Sequence, residues 1–180
     1  MLEAYNIDHF PLYTHVNYLE WDGRWELIDG IAYAMSPAPY PKHQRIVVQA
    51  WRELSKNLDC QNCMVYVSPI DWKVDESTVV QPDVAIFCEE TLRQYFSKKP
   101  PLIIEVLSKS TALKDVTTKF SLYEKEGVKY YIIIEPESEI SDVFELIDGK
   151  YQLMKKITKE DSFNFEFDQC KTFIDFGTLF

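Results

Sequence analysis

Leu102-Ile103-Ile104-Glu105-Val106-Leu107 is a short apolar run with a carboxylate in its middle, and Tyr130-Tyr131-Ile132-Ile133-Ile134 follows it at the distance of one helix. Both runs have strand length and read as central strands of a sheet. Between them, Ser110 or Thr111 can cap a helix running to about Glu126, where Gly127 supplies a stop. A strand, a helix and a strand in that order imply a right-handed crossover with the two strands parallel.

Working outward, Pro82-Asp83 opens a third apolar run, Val84-Ala85-Ile86-Phe87. Proline cannot donate to a ladder, so Pro82 marks a strand start or a bulge. Further strands are expected at Met64-Val65-Tyr66-Val67, at Ile70-Asp71-Trp72-Lys73-Val74, and at Val79-Val80-Gln81 after the turn Asp75-Glu76-Ser77-Thr78. Arg24-Trp25-Glu26-Leu27-Ile28 and Ile31-Ala32-Tyr33-Ala34-Met35 flank Asp29-Gly30, a strong two-residue hairpin signal. A short helix is expected over about 12–21, and a longer one after Ser36-Pro37-Ala38-Pro39-Tyr40-Pro41, with Ile46, Val47, Ala50, Trp51 and Leu54 as its apolar stripe. A partly helical connection is expected from Cys88 to Tyr95. The sequence Glu-Leu-Ile-Asp-Gly occurs at 26–30 and again at 145–149, but the flanks differ, so it reads as repeated turn chemistry rather than duplication. The fold class is α/β, or α+β in some schemes, with a mixed sheet.

The chain has 180 residues, 46% of them hydrophobic and 14% aromatic, enough for one well-filled core and short for two domains, so residues 1–180 are expected to form one domain. The start Met1-Leu2-Glu3-Ala4-Tyr5-Asn6 lacks the basic and apolar pattern of an export signal, and no run reaches transmembrane length, so the expectation is a cytoplasmic protein without a membrane partner. The four cysteines, Cys60, Cys63, Cys88 and Cys170, are too few for a disulfide scaffold and are expected to be reduced. Cys60-Gln61-Asn62-Cys63 has C-x-x-C spacing, but no second ligand pair follows at zinc-finger distance, so structural or incidental thiols are the expected reading. A net charge of −10 argues against a surface that attracts nucleic acid as a whole, because phosphate binding rests on Lys and Arg. Any such site must be local, with Lys98-Lys99 or Lys109, Lys114 and Lys119 as candidates beside the plainer reading of a solvated lysine face.

The chemistry centres on Glu105. An unpaired buried carboxylate costs several kcal/mol, roughly, or neutralises itself, so it needs a cation, a proton or strong donors. Asp83 one strand earlier makes a pair, and two converging carboxylates point to a divalent metal. Ile103, Glu105 and Leu107 share one strand face, so no lysine stands two residues after the acid on that face. The helix that follows offers Lys119, at the border of an expected apolar stripe of Leu113, Val116, Phe120 and Tyr123. Lys119 could snorkel to the carboxylates, or it could form a surface pair with Asp115.

These residues carry a resemblance. The segments Trp25-Glu26-Leu27-Ile28-Asp29-Gly30, Met35-Ser36-Pro37, Lys42-His43-Gln44-Arg45, Val67-Ser68-Pro69, Gln81-Pro82-Asp83-Val84, Ile104-Glu105-Val106-Leu107-Ser108-Lys109-Ser110-Thr111 and Lys119-Phe120-Ser121-Leu122-Tyr123-Glu124-Lys125-Glu126-Gly127-Val128 resemble the Uma-type family of "putative restriction endonucleases", in the PD-(D/E)XK nuclease superfamily. The resemblance implies a restriction-endonuclease-like mixed central sheet flanked by helices, with Asp83 and Glu105 as metal ligands and Lys119 as a lysine relocated from strand to helix. It further implies that Glu26 is an upstream acid near the metal and His43 a polar residue of the second helix, with Gln81 and Tyr123 beside the site. Lys109 stands where the family commonly has proline, and Glu135 where it more often has Asp.

The implied activity is a Mg²⁺-dependent endodeoxyribonuclease, with Mn²⁺ as substitute, DNA bound through a local site, and a homodimer as the common state of nucleases that cut both strands. The rival from another class is a catalytically silent binding or assembly module on the nuclease fold, consistent with the acidic charge. A two-carboxylate sugar hydrolase leaves Lys119 and the buried setting of Glu105 without a task.

Overall fold

The computed structural model describes residues 11–35, 40–88, 94–108 and 112–180. Its centre is a six-stranded sheet of β3 (Met64–Val67), β6 (Val84–Phe87), β7 (Leu102–Val106), β8 (Tyr130–Glu135), β9 (Ile140–Ile147) and β10 (Lys150–Ile157), in the spatial order β10-β9-β8-β7-β6-β3. As the crossover argument requires, β7 and β8 are parallel, from Leu102 opposite Tyr130 to Val106 opposite Ile134. The other neighbours in this sheet pair antiparallel.

Alternation along these strands sorts their side chains into two cores. Leu102, Ile104, Val106, Ile132 and Ile134 face α2 (Pro41–Asn57), which buries Ile46, Val47, Ala50 and Leu54 against them. The hairpin of β11 (Ser162–Phe167) and β12 (Cys170–Asp175) closes the same side with Phe165, Phe167 and Ile174. On the opposite side Ile103, Tyr131 and Ile133 meet Trp72, Val80, Leu122 and Tyr123. Glu105 shares the side of Ile103 and therefore enters this second core.

The second core is roofed by a smaller antiparallel sheet of β1 (Trp25–Ile28), β2 (Ile31–Ala34), β4 (Trp72–Asp75) and β5 (Thr78–Val80), ordered β2-β1-β5-β4. The β1–β2 hairpin turns at Asp29 and Gly30 with φ of 49° and 79°, and the β9–β10 hairpin repeats the device at Asp148 and Gly149 with φ of 51° and 77°. Two adjacent left-handed residues are what Asp-Gly supplies at low cost, so the duplicated pentapeptide is turn chemistry as expected. After β7 come α3 (Ala112–Lys114), a π-helical segment Asp115–Lys119 and α4 (Phe120–Glu126), stopped by Gly127 at φ 79°.

Several local expectations are corrected. The helix expected over 12–21 is a single turn, α1 (His15–Tyr18). Trp51, placed in the α2 stripe, is 40% exposed; it lies along the rim with Nε1 donating to the Val65 carbonyl at 3.1 Å. The stripe of the later helix is also displaced, since Leu113 is 77% exposed and Val116 is exposed while Asp115 and Lys119 are buried. The cysteines, expected as reduced thiols, are paired: Cys60 is joined to Cys170, and Cys63 to Cys88. The caps Ser110 and Thr111 and most of the 88–95 connection lie outside the described residues. Among the described residues no helix is long and apolar enough to cross a membrane.

Ile132 is fully buried on β8, whereas Leu153 is half exposed on β10. Ile132→Ala should lower unfolding free energy by about 2–5 kcal/mol, and Leu153→Ala should stay within about 0.5 kcal/mol. Urea denaturation followed by tryptophan fluorescence checks both.

Candidate active site

Five separate elements deliver polar side chains to one place beneath the smaller sheet. Glu105 comes from the middle of β7, Glu26 from β1, Asp83 from the residue before β6, His43 from the first turn of α2, and Lys114, Asp115, Lys119 and Tyr123 from the helix after β7. Glu26, Glu105, Asp115, Lys119 and His43 are all buried, and Asp83 is partly exposed.

Lys119 organises the cluster. Its Nζ lies 2.8 Å from Glu26 Oε1, 2.9 Å from Glu105 Oε1 and 3.8 Å from Asp115 Oδ1. Tyr123 donates its hydroxyl to the same Glu105 oxygen at 2.9 Å. The other Glu105 oxygen faces Asp83, accepting from its backbone N–H at 3.4 Å. Asp83 Oδ2 in turn accepts from the Val106 N–H at 2.9 Å and lies 3.3 Å from His43 Nε2. Glu26 is held from both sides, by Lys114 at Oε2 and by the Gln81 N–H at Oε1 over 2.8 Å. The Gln81 side chain points elsewhere, accepting from Arg24 at 3.0 Å and donating to Asp71 at 2.8 Å, so Gln81 serves the acids through its backbone.

Proton affinities follow from this packing. Burial pushes the Glu105 carboxyl well above the usual carboxylate range, and Asp115, Asp83 and Glu26 push the same way against the opposing pull of Lys119. Burial also acts to raise Glu26, yet Lys119 and Lys114 together outweigh it and hold Glu26 below its ordinary value. Burial would lower Lys119, but Glu105, Glu26 and Asp115 keep it firmly protonated. His43 is raised, because its hydrogen bond to Asp83 outweighs burial. Tyr123 is raised by burial and by Glu105, and so stays a donor.

The carboxylates Glu26, Asp83, Glu105 and Asp115 meet two ammonium groups, an excess of negative charge that drives Glu105 to keep a proton. A hard divalent cation can replace that proton, and the residues that could hold it are Glu105 and Asp83, whose backbone N–H meets the Glu105 carboxylate. Lys119 bridges Glu26 to Glu105, so Glu26 anchors the lysine. A cleft of about 260 Å³, lined by Tyr40, Lys42, His43, Leu107 and Glu135, adjoins the site at the carboxyl ends of the parallel strands β7 and β8. Open α/β sheets commonly bind ligands at that end.

The π segment explains what sequence reading missed. In a regular α-helix residues five apart diverge by about 140°, so Lys114 and Lys119 could not both reach Glu26. A π turn bonds residue i to i+5 and aligns them, which brings both ammonium groups to that carboxylate. It also turns Asp115 inward and Leu113 and Val116 outward. No α-helical pattern could have signalled Lys114.

The layering and the position of the site define the restriction-endonuclease-like class. Within it, the chain belongs to the Uma2 family, described as "Putative restriction endonuclease", whose profile matches residues 12–166; this places it among nuclease-type proteins. The chain is 29% identical over 143 residues to the uncharacterized protein slr1290 of Synechocystis sp., an alignment covering 75% of each chain. Its fold is similar to the crystal structure of a "putative nuclease belonging to DUF820" from Anabaena variabilis, with a TM-score of 0.66 and 19% identity over 78% of this chain and 83% of that one.

Removing one partner of a buried ion cluster leaves uncompensated charge. Lys119→Met should therefore cost about 3–5 kcal/mol in urea unfolding at neutral pH with chelator present. In a double-mutant cycle with Glu105→Gln the two losses should fall short of additivity by about 1 kcal/mol or more. Strict additivity would mean that the two groups do not interact.

Proposed function

We propose that this chain is a divalent-metal-dependent endodeoxyribonuclease, with Asp83 and Glu105 as ligands for Mg²⁺ or Mn²⁺ and Lys119 as the catalytic cation. The observation that carries the reading is the placement of the Lys119 ammonium 2.9 Å from Glu105 from a helix that follows the strand. This restores on the helix the acid and lysine pairing that Leu107 removes from the strand. Membership of a family described as restriction endonucleases supports the same chemistry.

When bound, the metal would polarise the scissile phosphate and lower the pKa of an attacking water. The protein's groups would do the rest. Lys119, fixed by Glu26, offsets negative charge as it grows on the phosphate oxygens, a preorganised interaction worth more in a dry site than in water. The Val106 N–H and His43 fix the rotamer of Asp83, and the Tyr123 hydroxyl fixes that of Glu105. Asp83 is the partly exposed member of the pair, so substrate would approach past it and past the cleft beside His43 and Lys42. The net charge of −10 restricts DNA contact to this local region.

Purified protein should nick or cut duplex DNA with Mg²⁺ or Mn²⁺, lose activity in EDTA, and regain it when the ion is restored. Asp83→Ala should remove cleavage altogether; undiminished cleavage by that variant would sink the proposal. Lys119→Ala should lower kcat by about 10²–10³-fold while leaving calorimetric Mn²⁺ affinity nearly unchanged, and the reverse pattern would reject its assigned role. Saturable DNA or protein binding without cleavage on duplex, nicked or single-stranded substrates would favour the silent assembly module instead.

A further inference from the structure

A second cluster of chemistry-bearing side chains lies outside the carboxylate site. Cys60 and Cys63 flank the turn from α2 into β3, Cys88 directly follows β6, and Cys170 opens β12. The sulfurs of Cys60, Cys63 and Cys170 all lie within 4.8 Å of one another, and Cys88 is joined to Cys63. All four cysteines of the chain therefore meet at one point, although Cys60 and Cys170 are 110 residues apart.

Contacts that use no sulfur hold this convergence. The Asp59 N–H donates to the Lys171 carbonyl at 3.1 Å, and Asp59 Oδ1 accepts from the Lys171 N–H at 2.5 Å, which sets Cys60 beside Cys170. The Thr172 hydroxyl donates to the Leu54 carbonyl at 3.3 Å, tying β12 to α2. On the other side, β3 and β6 pair with Met64 opposite Phe87, so Cys63 and Cys88 follow as the next cross-strand neighbours. Cys63 and Cys170 are buried, and Cys60 and Cys88 are partly buried against the same core.

Two bonded sulfur pairs and one four-sulfur ligand set are the oxidised and reduced uses of the same atoms. We propose that in the reduced chain Cys60, Cys63, Cys88 and Cys170 together bind one Zn²⁺ as a closed structural site. An all-thiolate set suits a soft, tetrahedral ion, and Cys60-Gln61-Asn62-Cys63 supplies two ligands from one turn. With Zn–S bonds of about 2.3 Å, tetrahedral sulfurs stand about 3.8 Å apart, and the unbonded Cys63 and Cys170 sulfurs are 3.7 Å apart. That edge fits a single ion, whereas a four-iron cluster would spread its cysteine sulfurs farther. Each of the four thiols gives up its proton on binding, so one Zn²⁺ exchanges for four H⁺ and leaves a centre of charge −2. With four protein ligands no position is open to substrate, so the ion braces the β11–β12 hairpin against α2 and the central sheet rather than taking part in DNA cleavage.

The full chain, produced in zinc-containing medium and kept reduced with a phosphine through purification, should carry about one zinc per chain by plasma mass spectrometry. Cys60→Ser and Cys170→Ser should lose that zinc and unfold at lower temperature. Asp83→Ala should keep it, which separates this site from the carboxylates and makes the result independent of nuclease activity. Should the serine variants fail to fold, Co²⁺ in place of zinc in the wild type should give intense thiolate-to-cobalt absorption in the near ultraviolet and four-coordinate bands in the red. A reduced wild-type chain with neither zinc nor those cobalt bands, or one carrying stoichiometric iron instead, would overturn the proposal.

Discussion

The structure depends on how one buried ammonium group is satisfied. Transferring a single charge from water to a protein interior costs several kcal/mol even after relaxation, and here Lys119 is buried among three carboxylates that are buried too. Such a cluster is tolerable only when partners arrive from all sides. They come from β1 in the smaller sheet, β7 in the central sheet and the π segment between them. The ion cluster thus acts as a geometric specification for the second core: the layers must close in a register that pairs Glu26, Glu105 and Lys119, since a misplaced layer would leave a bare charge inside.

Much of this was legible in the sequence. The Glu105 strand, the crossover to the 130–134 run, and the Asp29-Gly30 and Asp148-Gly149 turns each rest on local chemistry that tertiary context seldom overrides. Asp83 and Glu105 could be paired because each stands at or in an apolar strand run, whereas the place of Tyr123 beside them came from the family resemblance and not from its spacing. For Lys119, spacing left the inward and surface readings balanced; the structure turns it inward.

What could not be read depends on departures from periodicity or on long-range encounter. Leu113 and Val116 obey an α-helical stripe and yet are exposed, because the π segment shifts the phase and electrostatic demand from Glu26 and Glu105 draws Lys119 and Lys114 inward, with Asp115 beside Lys119. Trp51 fits the α2 stripe by angle, but its bulk and its indole N–H find a better place at the rim, against the Val65 carbonyl. The cysteine cluster leaves no spacing signature along the chain, because Cys88 and Cys170 reach Cys60 and Cys63 only through sheet pairing and the C-terminal hairpin.

The π segment has a consequence for how this chain can vary. A π turn amounts to one residue accommodated within an α-helical ladder, so deleting a single residue between Asp115 and Lys119 would let the ladder close as an ordinary helix. The extra residue is absorbed within the turn, so side chains on either side of the deletion would keep their relation: Leu122, Tyr123 and Gly127 would hold their places, and the two lysines would stand four residues apart on one face. The stretch can therefore lose one residue and keep its lysine on the carboxylates, whereas a further loss or gain would rotate α4 by about 100° against the central sheet.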